Sequence, residues 1–148
     1  MYIVGGVLQH RYSSIMPIAM QKRTVFYLSD GTGITAEQLG HALLAQFEGM
    51  DIREVRLPFV TSEEKAHQAV NLIHTAYLEC GTQPIVFSSC VNPVVRTILK
   101  TAQALYLDLF ETFLQPMSQS LGIEPTNAVG RAHSLSGRYF ERIAAMNF

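Results

Sequence analysis

Residues 29–35 combine the side chains and glycines whose types and spacing best suit anion binding. Gly31 and Gly33 let the backbone turn through conformations that side chains disfavour. A helix is predicted to start at Ala36, after an N-cap at Thr35. Its first amides lack partners within the helix and carry the positive end of its dipole, so they attract phosphate or carboxylate. The candidate ligand residues are Ser29, Asp30, Gly31, Thr32, Gly33 and Thr35. A turn that only joins a strand to a helix is an equally open interpretation.

The same glycines also fit a dinucleotide fingerprint, because residues 31–36 read G-x-G-x-x-A after an apolar run. That fingerprint requires an acidic residue at the carboxyl end of the second strand, where it binds a ribose. Here the second strand is predicted to end in Leu57 and Pro58, and Glu54 lies earlier in it. The pattern therefore disfavours a nicotinamide or flavin cofactor.

A second motif begins at Cys90, where residues 90–97 fit the C-x5-R-[ST] pattern of cysteine phosphatases. In such enzymes a thiolate attacks phosphorus while loop amides and the arginine hold the phosphate oxygens. Pro93 removes one of those amides, and Val94 and Val95 resist the tight turns that the loop needs. A buried cysteine ahead of a helix is the favoured interpretation, and a Cys90-dependent phosphatase is the less favoured one.

The metal-binding and basic residues give weaker signals. His67 and His74 lie on one side of a predicted helix without a third ligand, so packed or solvated histidines are expected and no metal site is predicted. The last segment carries local positive charge that is typical of a solvated helix face. Its basic residues are Arg131, His133, Arg138 and Arg142.

Composition narrows the class of protein. The chain has 148 residues, 48% of them hydrophobic and 16% charged, and a net charge of −1. These values argue against disorder and against a global basic surface for nucleic acid. Cys80 and Cys90 lack the spacing of a disulfide framework or zinc site, so a reducing cytoplasm is expected. The apolar run near the start is too short to span a membrane and lacks the charged beginning of a signal peptide.

The elements that must position the turn alternate along the chain. Apolar runs at 25–28, 52–57, 84–89 and 105–110 predict strands, the second nearer an edge because its apolar residues alternate. Helical spacing follows each run, with predicted helices from Ala36, from a Thr61 cap to Gly81, from Asn92 to about Ala104, and up to Leu121. The expected fold is α/β, with a doubly wound, mostly parallel sheet of about four strands. Ligands of such sheets collect at the carboxyl ends of the strands, where residues 29–33 lie.

Both ends of the chain differ from its centre. Residues 1–22 are predicted to be an extension outside the main domain, with Met20 as the hypothetical natural start, and residues 23–148 the domain itself. A last amphipathic helix is predicted, with Tyr139, Ile143 and Met146 on one face. Its apolar end predicts that a further domain follows.

Three runs carry a resemblance to a known family. They are Phe-Tyr-Leu-Ser-Asp-Gly-Thr-Gly-Ile-Thr-Ala-Glu at 26–37, Leu-Pro-Phe-Val at 57–60 and Tyr-Phe-Glu-Arg-Ile-Ala-Ala at 139–145. Over about residues 22–148 the chain resembles the amino-terminal half of the bacterial phosphoenolpyruvate synthase regulatory proteins, whose relatives regulate pyruvate, phosphate dikinase. The Ser-Asp-Gly-Thr form of the first run favours the synthase branch.

The resemblance implies a bifunctional enzyme. Such a protein uses ADP to phosphorylate a threonine of its target, and uses inorganic phosphate to remove that group as pyrophosphate. Family members continue into a second half with the nucleotide-binding phosphate loop, so this chain is expected to lack nucleotide-binding and catalytic residues. ADP and phosphate are therefore expected as substrates of the family and not as ligands of this chain alone. The implied partners are phosphoenolpyruvate synthase and the missing carboxyl-terminal domain, and a homo-oligomer stays open. The alternative is a non-catalytic module for target binding or dimerisation.

Overall fold

The computed structural model of the protein describes residues 22–128. Strands and helices alternate through this span, which confirms the predicted α/β class. They are β1 (Lys22–Leu28), α1 (Ile34–Leu44), β2 (Asp51–Leu57), α2 (Glu63–Cys80), β3 (Ile85–Ser88), α3 (Pro93–Leu99), β4 (Leu105–Asp108) and α4 (Leu109–Leu121). The predicted last helix with Tyr139, Ile143 and Met146 and the basic segment from Arg131 lie outside the described residues. So does the predicted extension 1–22 apart from Lys22, which is the first residue of β1.

The four strands form one parallel sheet in the order β2-β1-β3-β4. β1 pairs with β2 along its whole length, from Lys22 opposite Asp51 to Leu28 opposite Leu57. On its other side, the second half of β1 pairs with β3. The predicted edge position of β2 is confirmed, since it is the outermost strand on its side of this sheet.

Helices cover both faces of the sheet, as expected for a doubly wound fold. On one face, Phe26 and Leu28 of β1 pack in a cluster that includes Ile73 of α2 and Leu99 of α3. On the other face, Val25 and Tyr27 pack with Ala36 of α1 and Leu109 of α4. Because every second residue of a strand points to the same face, the continuous apolar run of β1 supplies both cores.

Helix α1 faces the sheet with small residues. Ala36 and Gly40, one helical turn apart, are its buried residues. Gly40 faces the stacked rings of Tyr27 and Phe87, whose centroids are 5.9 Å apart. Of the larger apolar residues in and just after this helix, Leu39 packs against the core, whereas Leu43 is 44% and Phe47 67% exposed.

One boundary of α2 and one of α3 differ from the predictions. The N-cap of α2 is Ser62, whose hydroxyl accepts a hydrogen bond from the Lys65 amide at 3.2 Å, and not Thr61. Helix α3 begins as predicted after Asn92, whose side chain accepts from the Val94 amide at 2.9 Å. It ends at Leu99, before the predicted Ala104, because the chain must reach Leu105, whose amide donates to the Pro84 carbonyl at 2.9 Å and begins β4.

Helix α4 follows β4 without a loop. The Asp108 carboxylate caps it by accepting from the amides of Phe110 and Glu111 at 3.1 and 2.8 Å. Pro116 lies inside the helix, on its exposed side, so water can satisfy the carbonyl group that the missing amide would have bonded. Of the residues of α4, Leu109 is the buried one.

None of the helices within residues 22–128 combines the length and the apolar character needed to cross a membrane.

The contact at Gly40 predicts a destabilising substitution. In Gly40→Ala the added methyl would lie 2.5 Å from Cε1 of Tyr27 and 2.9 Å from Cδ2 of Phe87. Because both rings are buried and stacked, we expect the free energy of unfolding in urea to fall by about 1–3 kcal/mol. This loss exceeds the gain of about 1 kcal/mol in helix propensity. Gln38→Ala, on the exposed side of the same helix, is the matched control and should change little. Equal or greater stability of Gly40→Ala would contradict the close approach.

Candidate functional site

The turn after β1 lies at the carboxyl edge of the sheet and is well anchored. The Ser29 amide donates to the Leu57 carbonyl at 3.2 Å, and its carbonyl accepts from the Val60 amide at 2.8 Å. Its hydroxyl accepts from the Gly31 amide at 2.9 Å. Ser29 therefore stabilises the turn from inside. The Gly31 amide, one of those expected to attract an anion, is already bonded to it.

Asp30 connects this turn to the loop after β3. Its buried carboxylate accepts a hydrogen bond from the Val91 amide at 2.9 Å. The two strands are neighbours, and their helices α1 and α3 lie on opposite faces of the sheet. Such a point of divergence is where ligands of doubly wound sheets bind. Asp30 thus holds the two sides of the crevice together and also places a carboxylate inside it.

The amino end of α1 differs from the prediction. Gly33, in the left-handed conformation with φ 89°, is the N-cap, and the helix begins at Ile34, two residues before the predicted Ala36. Thr35 is therefore the second helical residue and not the cap. No side chain caps this helix end. Thr32 and Thr35 are exposed, so the open part of the turn lies on their side and not at Ser29 or Asp30.

Phe59 lies beside the turn. Its amide donates to the Gly31 carbonyl at 2.9 Å, and its φ of 56° is unusual for a residue with a side chain. The ring is 53% exposed and lines a groove of about 240 Å³ between the end of β2 and α2. Leu72 and Lys65 line the same groove. An apolar surface with one cation therefore adjoins the candidate anion site.

Cys90 lies below the crevice with the properties of a core residue. It is fully buried, and burial raises the pKa of its thiol to about 12. Its amide donates to the Ser88 hydroxyl at 3.3 Å. A protonated, inaccessible thiol is a poor nucleophile, so the structure supports the buried-cysteine interpretation over a phosphatase.

Arg96, the other half of the phosphatase pattern, is paired inside the protein. Its Nε donates to Oδ2 of Asp108 at 2.8 Å, and its Nη2 lies 3.7 Å from Oε2 of Glu111. The ion pair is largely buried, with 13% of the Arg96 and 6% of the Asp108 side chain exposed. Because Asp108 also caps α4, the guanidinium fixes the start of that helix. The Nε of Arg96 is thus engaged in structure, whereas its buried Nη2 has no hydrogen-bond partner among the described residues.

The remaining candidate side chains have structural partners. Glu54, in the middle of β2, accepts from the Tyr27 hydroxyl at 2.7 Å, and no acidic residue ends that strand. His74 accepts from the Gln103 amide at 3.2 Å, whereas His67 is exposed. Within residues 22–128 no three His, Cys, Asp or Glu side chains are grouped closely enough to hold a metal ion.

The structure thus gathers some predicted residues and separates others. Residues 29–35 do lie together at the crevice. The buried Ser29 and Asp30 form its anchoring half, and the exposed Thr32 and Thr35 mark its open half. Sequence reasoning missed the bond from Asp30 to Val91 and the capping of α4 by Asp108. An acidic residue at the end of an apolar strand run, as at Asp108, is a signal that could have indicated the cap.

The fold and this crevice define a doubly wound, parallel α/β protein with a candidate ligand site where the chain diverges from neighbouring strands. The sequence model of the family described as kinase/pyrophosphorylase matches residues 25–148. The chain therefore belongs to the kinase/pyrophosphorylase family.

Similar proteins carry a more specific description. A protein of Paracidovorax citrulli named "Putative phosphoenolpyruvate synthase regulatory protein" is 53% identical over 133 residues, which cover 87% of this chain and 48% of that protein. Proteins with the same name from Cupriavidus pinatubonensis and Marinobacter nauticus are 48% and 46% identical over 90% and 86% of this chain. These alignments cover 46% and 48% of the two proteins. The chain spans about half the length of the curated relatives it matches.

The environment of Cys90 predicts its reactivity. In the native protein at pH 8 a thiol-alkylating reagent should modify the half-buried Cys80 and spare Cys90, because a pKa near 12 leaves very little thiolate at Cys90. Mass spectrometry of the digested protein would locate the label, and labelling in denaturant, where both cysteines should react, is the control. Preferential modification of Cys90 at neutral pH would restore the phosphatase interpretation.

Proposed function

We propose that this chain is part of a regulator of phosphoenolpyruvate synthase that reversibly phosphorylates a threonine of the synthase. The observation that carries the proposal is the 53% identity over 133 residues to a protein named as such a regulator. The family description, kinase and pyrophosphorylase, supports two opposing reactions, the addition and the removal of the phosphoryl group.

The proposed chemistry balances with ADP and inorganic phosphate as the two small substrates. In the forward direction the threonine hydroxyl attacks the terminal phosphorus of ADP, the bond to the bridging oxygen breaks, and AMP leaves. In the opposing reaction, which is not the reversal of the first, inorganic phosphate attacks the phosphorus of the phosphothreonine. The bond to the threonine oxygen breaks, the oxygen takes a proton to restore the hydroxyl, and pyrophosphate leaves. Positioning and charge neutralisation dominate phosphoryl transfer, so a site for the transferred group is the minimum that a protein must supply.

We assign to this chain the binding part of the task and not the transfer. Its span of about half the relatives' length supports this division, as does the buried, protonated state of Cys90. The two free cysteines fit a cytoplasmic location, where thiols stay reduced. The alternative of a different class is a module that only recognises the synthase or joins subunits. The exposed apolar groove at Phe59 favours that alternative, because such grooves bind protein segments.

Incubation with the synthase tests the assignment. We expect the 148-residue chain to bind phosphoenolpyruvate synthase but to transfer no phosphate to it, with or without ADP and inorganic phosphate. The full-length Paracidovorax citrulli relative is the positive control and should phosphorylate the synthase when ADP is present. Binding can be measured by titration calorimetry, and phosphothreonine by mass spectrometry.

Each outcome of this comparison has a distinct meaning. Phosphate transfer by the isolated chain would contradict the division of labour, and absence of binding would contradict the proposed target. A full-length relative that binds the synthase without ADP-dependent transfer would favour the binding module.

The proposed phosphate position is the open half of the turn, at Thr32, Gly33 and Thr35. The uncapped amino end of α1 supplies the amides and the positive end of the helix dipole. The Gly31 amide is already bonded to Ser29, and the Asp30 carboxylate repels an anion. The site is therefore expected to be weak in this chain alone.

Titration with inorganic phosphate, followed by amide chemical shifts, tests this position. The Thr32 and Gly33 amides should shift, and Asp30→Asn should tighten binding at least about twofold, because it removes a like charge near the site. Asparagine keeps an oxygen that can accept from the Val91 amide, so the crevice should stay closed. Asp51→Asn, at the opposite end of the sheet, is the matched control. Unchanged shifts at Gly31, Thr32 and Gly33 would count against the site.

A further inference from the structure

The groove between the end of β2 and α2 presents an apolar surface beside the turn. Phe59 and Leu72, which are 53% and 49% exposed, line it together with the buried Ala69. The lining residues of α2 lie three, four and seven positions after Lys65, so they share one side of the helix. This surface, lined by residues 57–60 and by Lys65, Gln68, Ala69 and Leu72, is the Phe59 groove.

Phe59 is held beside the turn at a cost to the backbone. Its φ of 56° lies in the left-handed region, where a residue with a side chain loses stability. Its amide donates to the Gly31 carbonyl at 2.9 Å, and the following amide, of Val60, donates to the Ser29 carbonyl at 2.8 Å. These bonds join the groove and the turn into one hydrogen-bonded unit. A strained backbone that leaves an aromatic ring exposed is typical of a binding position, since a ring used for folding would be buried.

The size of the groove restricts the kind of ligand. Pockets that enclose drug-sized molecules have volumes of about 300–1,000 Å³. The Phe59 groove, with about 240 Å³, is smaller. It therefore suits one or two apolar side chains of a protein segment, and not a whole nucleotide.

Charge adds a second requirement for the ligand. Lys65 forms no ion pair within residues 22–128. Arg56 and Arg96, by contrast, are paired with Glu37 and Asp108. The groove thus combines an unpaired cation with the open amides of the adjoining turn, and both favour an anionic group. A phosphothreonine carries a charge of about −1.5 to −2 at pH 7 and complements them.

We propose that the Phe59 groove binds the threonine-bearing segment of the synthase in its phosphorylated form. The inference rests on the proposed function, which supplies the phosphothreonine. The phosphate lies between Lys65 and the open half of the turn, and a neighbouring apolar side chain of the segment packs on Phe59 and Leu72. Residues of an extended segment are about 3.3–3.6 Å apart, so adjacent side chains can reach both positions. Lys65 then gives the phosphorylated synthase an advantage over the unmodified one, and the apolar contact serves both.

Binding of the 148-residue chain to the synthase tests the groove. The synthase is used unmodified and after phosphorylation by the full-length Paracidovorax citrulli relative, and affinities are measured by titration calorimetry. Phe59→Gly removes the ring and suits the left-handed backbone, so unfolding in urea should show no loss of stability. Its affinity for both forms should fall at least about tenfold, because aromatic anchors dominate such contacts. Lys65→Gln should weaken binding of the phosphorylated form at least about fivefold and leave the unmodified form unchanged.

The matched controls remove an exposed ring and an exposed cation outside the groove. They are Phe47→Ala and Lys100→Gln, and neither should change the affinity by more than about twofold. The groove assignment alone is overturned if the wild-type chain binds the synthase and Phe59→Gly binds it equally well. Equal effects of Lys65→Gln on both forms overturn the phosphate contact.

Two further outcomes also count against the inference. Failure of the wild-type chain to bind the synthase, or of the relative to phosphorylate it, contradicts the proposed function and the inference together. A dimer in sedimentation that Phe59→Gly dissociates assigns the groove to a second copy of the chain.

Discussion

The burial of β1 on both faces is the constraint on which the other elements depend. Val25 and Tyr27 supply one core and Phe26 and Leu28 the other, so neither face can be left to solvent. The chain meets this demand by sending α1 to one face and α2 and α3 to the other. Since α1 follows β1 and α3 follows the neighbouring β3, the loops after these strands diverge. The crevice at the carboxyl edge is thus a consequence of covering β1 twice, and its chemistry is added by the residues that happen to turn there.

The residues at that edge have two different roles: some stabilise the loops, and others leave polar groups free for a ligand. Ser29 and Asp30 use their polar atoms on the protein itself, one within the turn and one across the crevice. A buried carboxylate requires such a partner, because an unpaired one would lose its hydration without compensation. The open amides lie beyond it, at Thr32 in the turn and at Thr35 in the first turn of α1. An anionic ligand at this position is therefore repelled by the Asp30 carboxylate. Its negative charge must be balanced by a cation that binds with it or by a basic group on another part of the protein.

The parts of the fold that the sequence could predict are those decided by neighbouring residues. Continuous apolar runs indicated β1 and β3, and Gly81 and the Asn92-Pro93 pair marked helix ends, since each effect acts within one turn of backbone. The predictions failed where two adjacent residues could both cap a helix, or where residues distant in sequence determine the packing. Thr61 fits a capping box with Glu64, whereas Ser62 is followed three residues later by Lys65, and only the final path of the chain selects Ser62. Gly40 appears unremarkable in a helix until Tyr27 and Phe87 are brought beneath it. The bond between Asp30 and Val91 joins residues 61 positions apart, and no local pattern encodes it.

The buried charged side chains at the carboxyl edge of the sheet limit the chemistry that this edge can support. Asp30 and Asp108 are both buried there, and Arg96 is already neutralised by Asp108. Transfer of a phosphoryl group places negative charge on several oxygens at once, and proteins stabilise it with cations and amides that are not otherwise engaged. The amides of α1 meet only part of that need. Lys65 of the adjoining groove is one candidate cation within the described residues. Under the proposed function, further cations would come from a metal ion, from the target or from another part of the polypeptide. These electrostatics are compatible with the proposed division of labour, in which this chain supplies binding and not transfer.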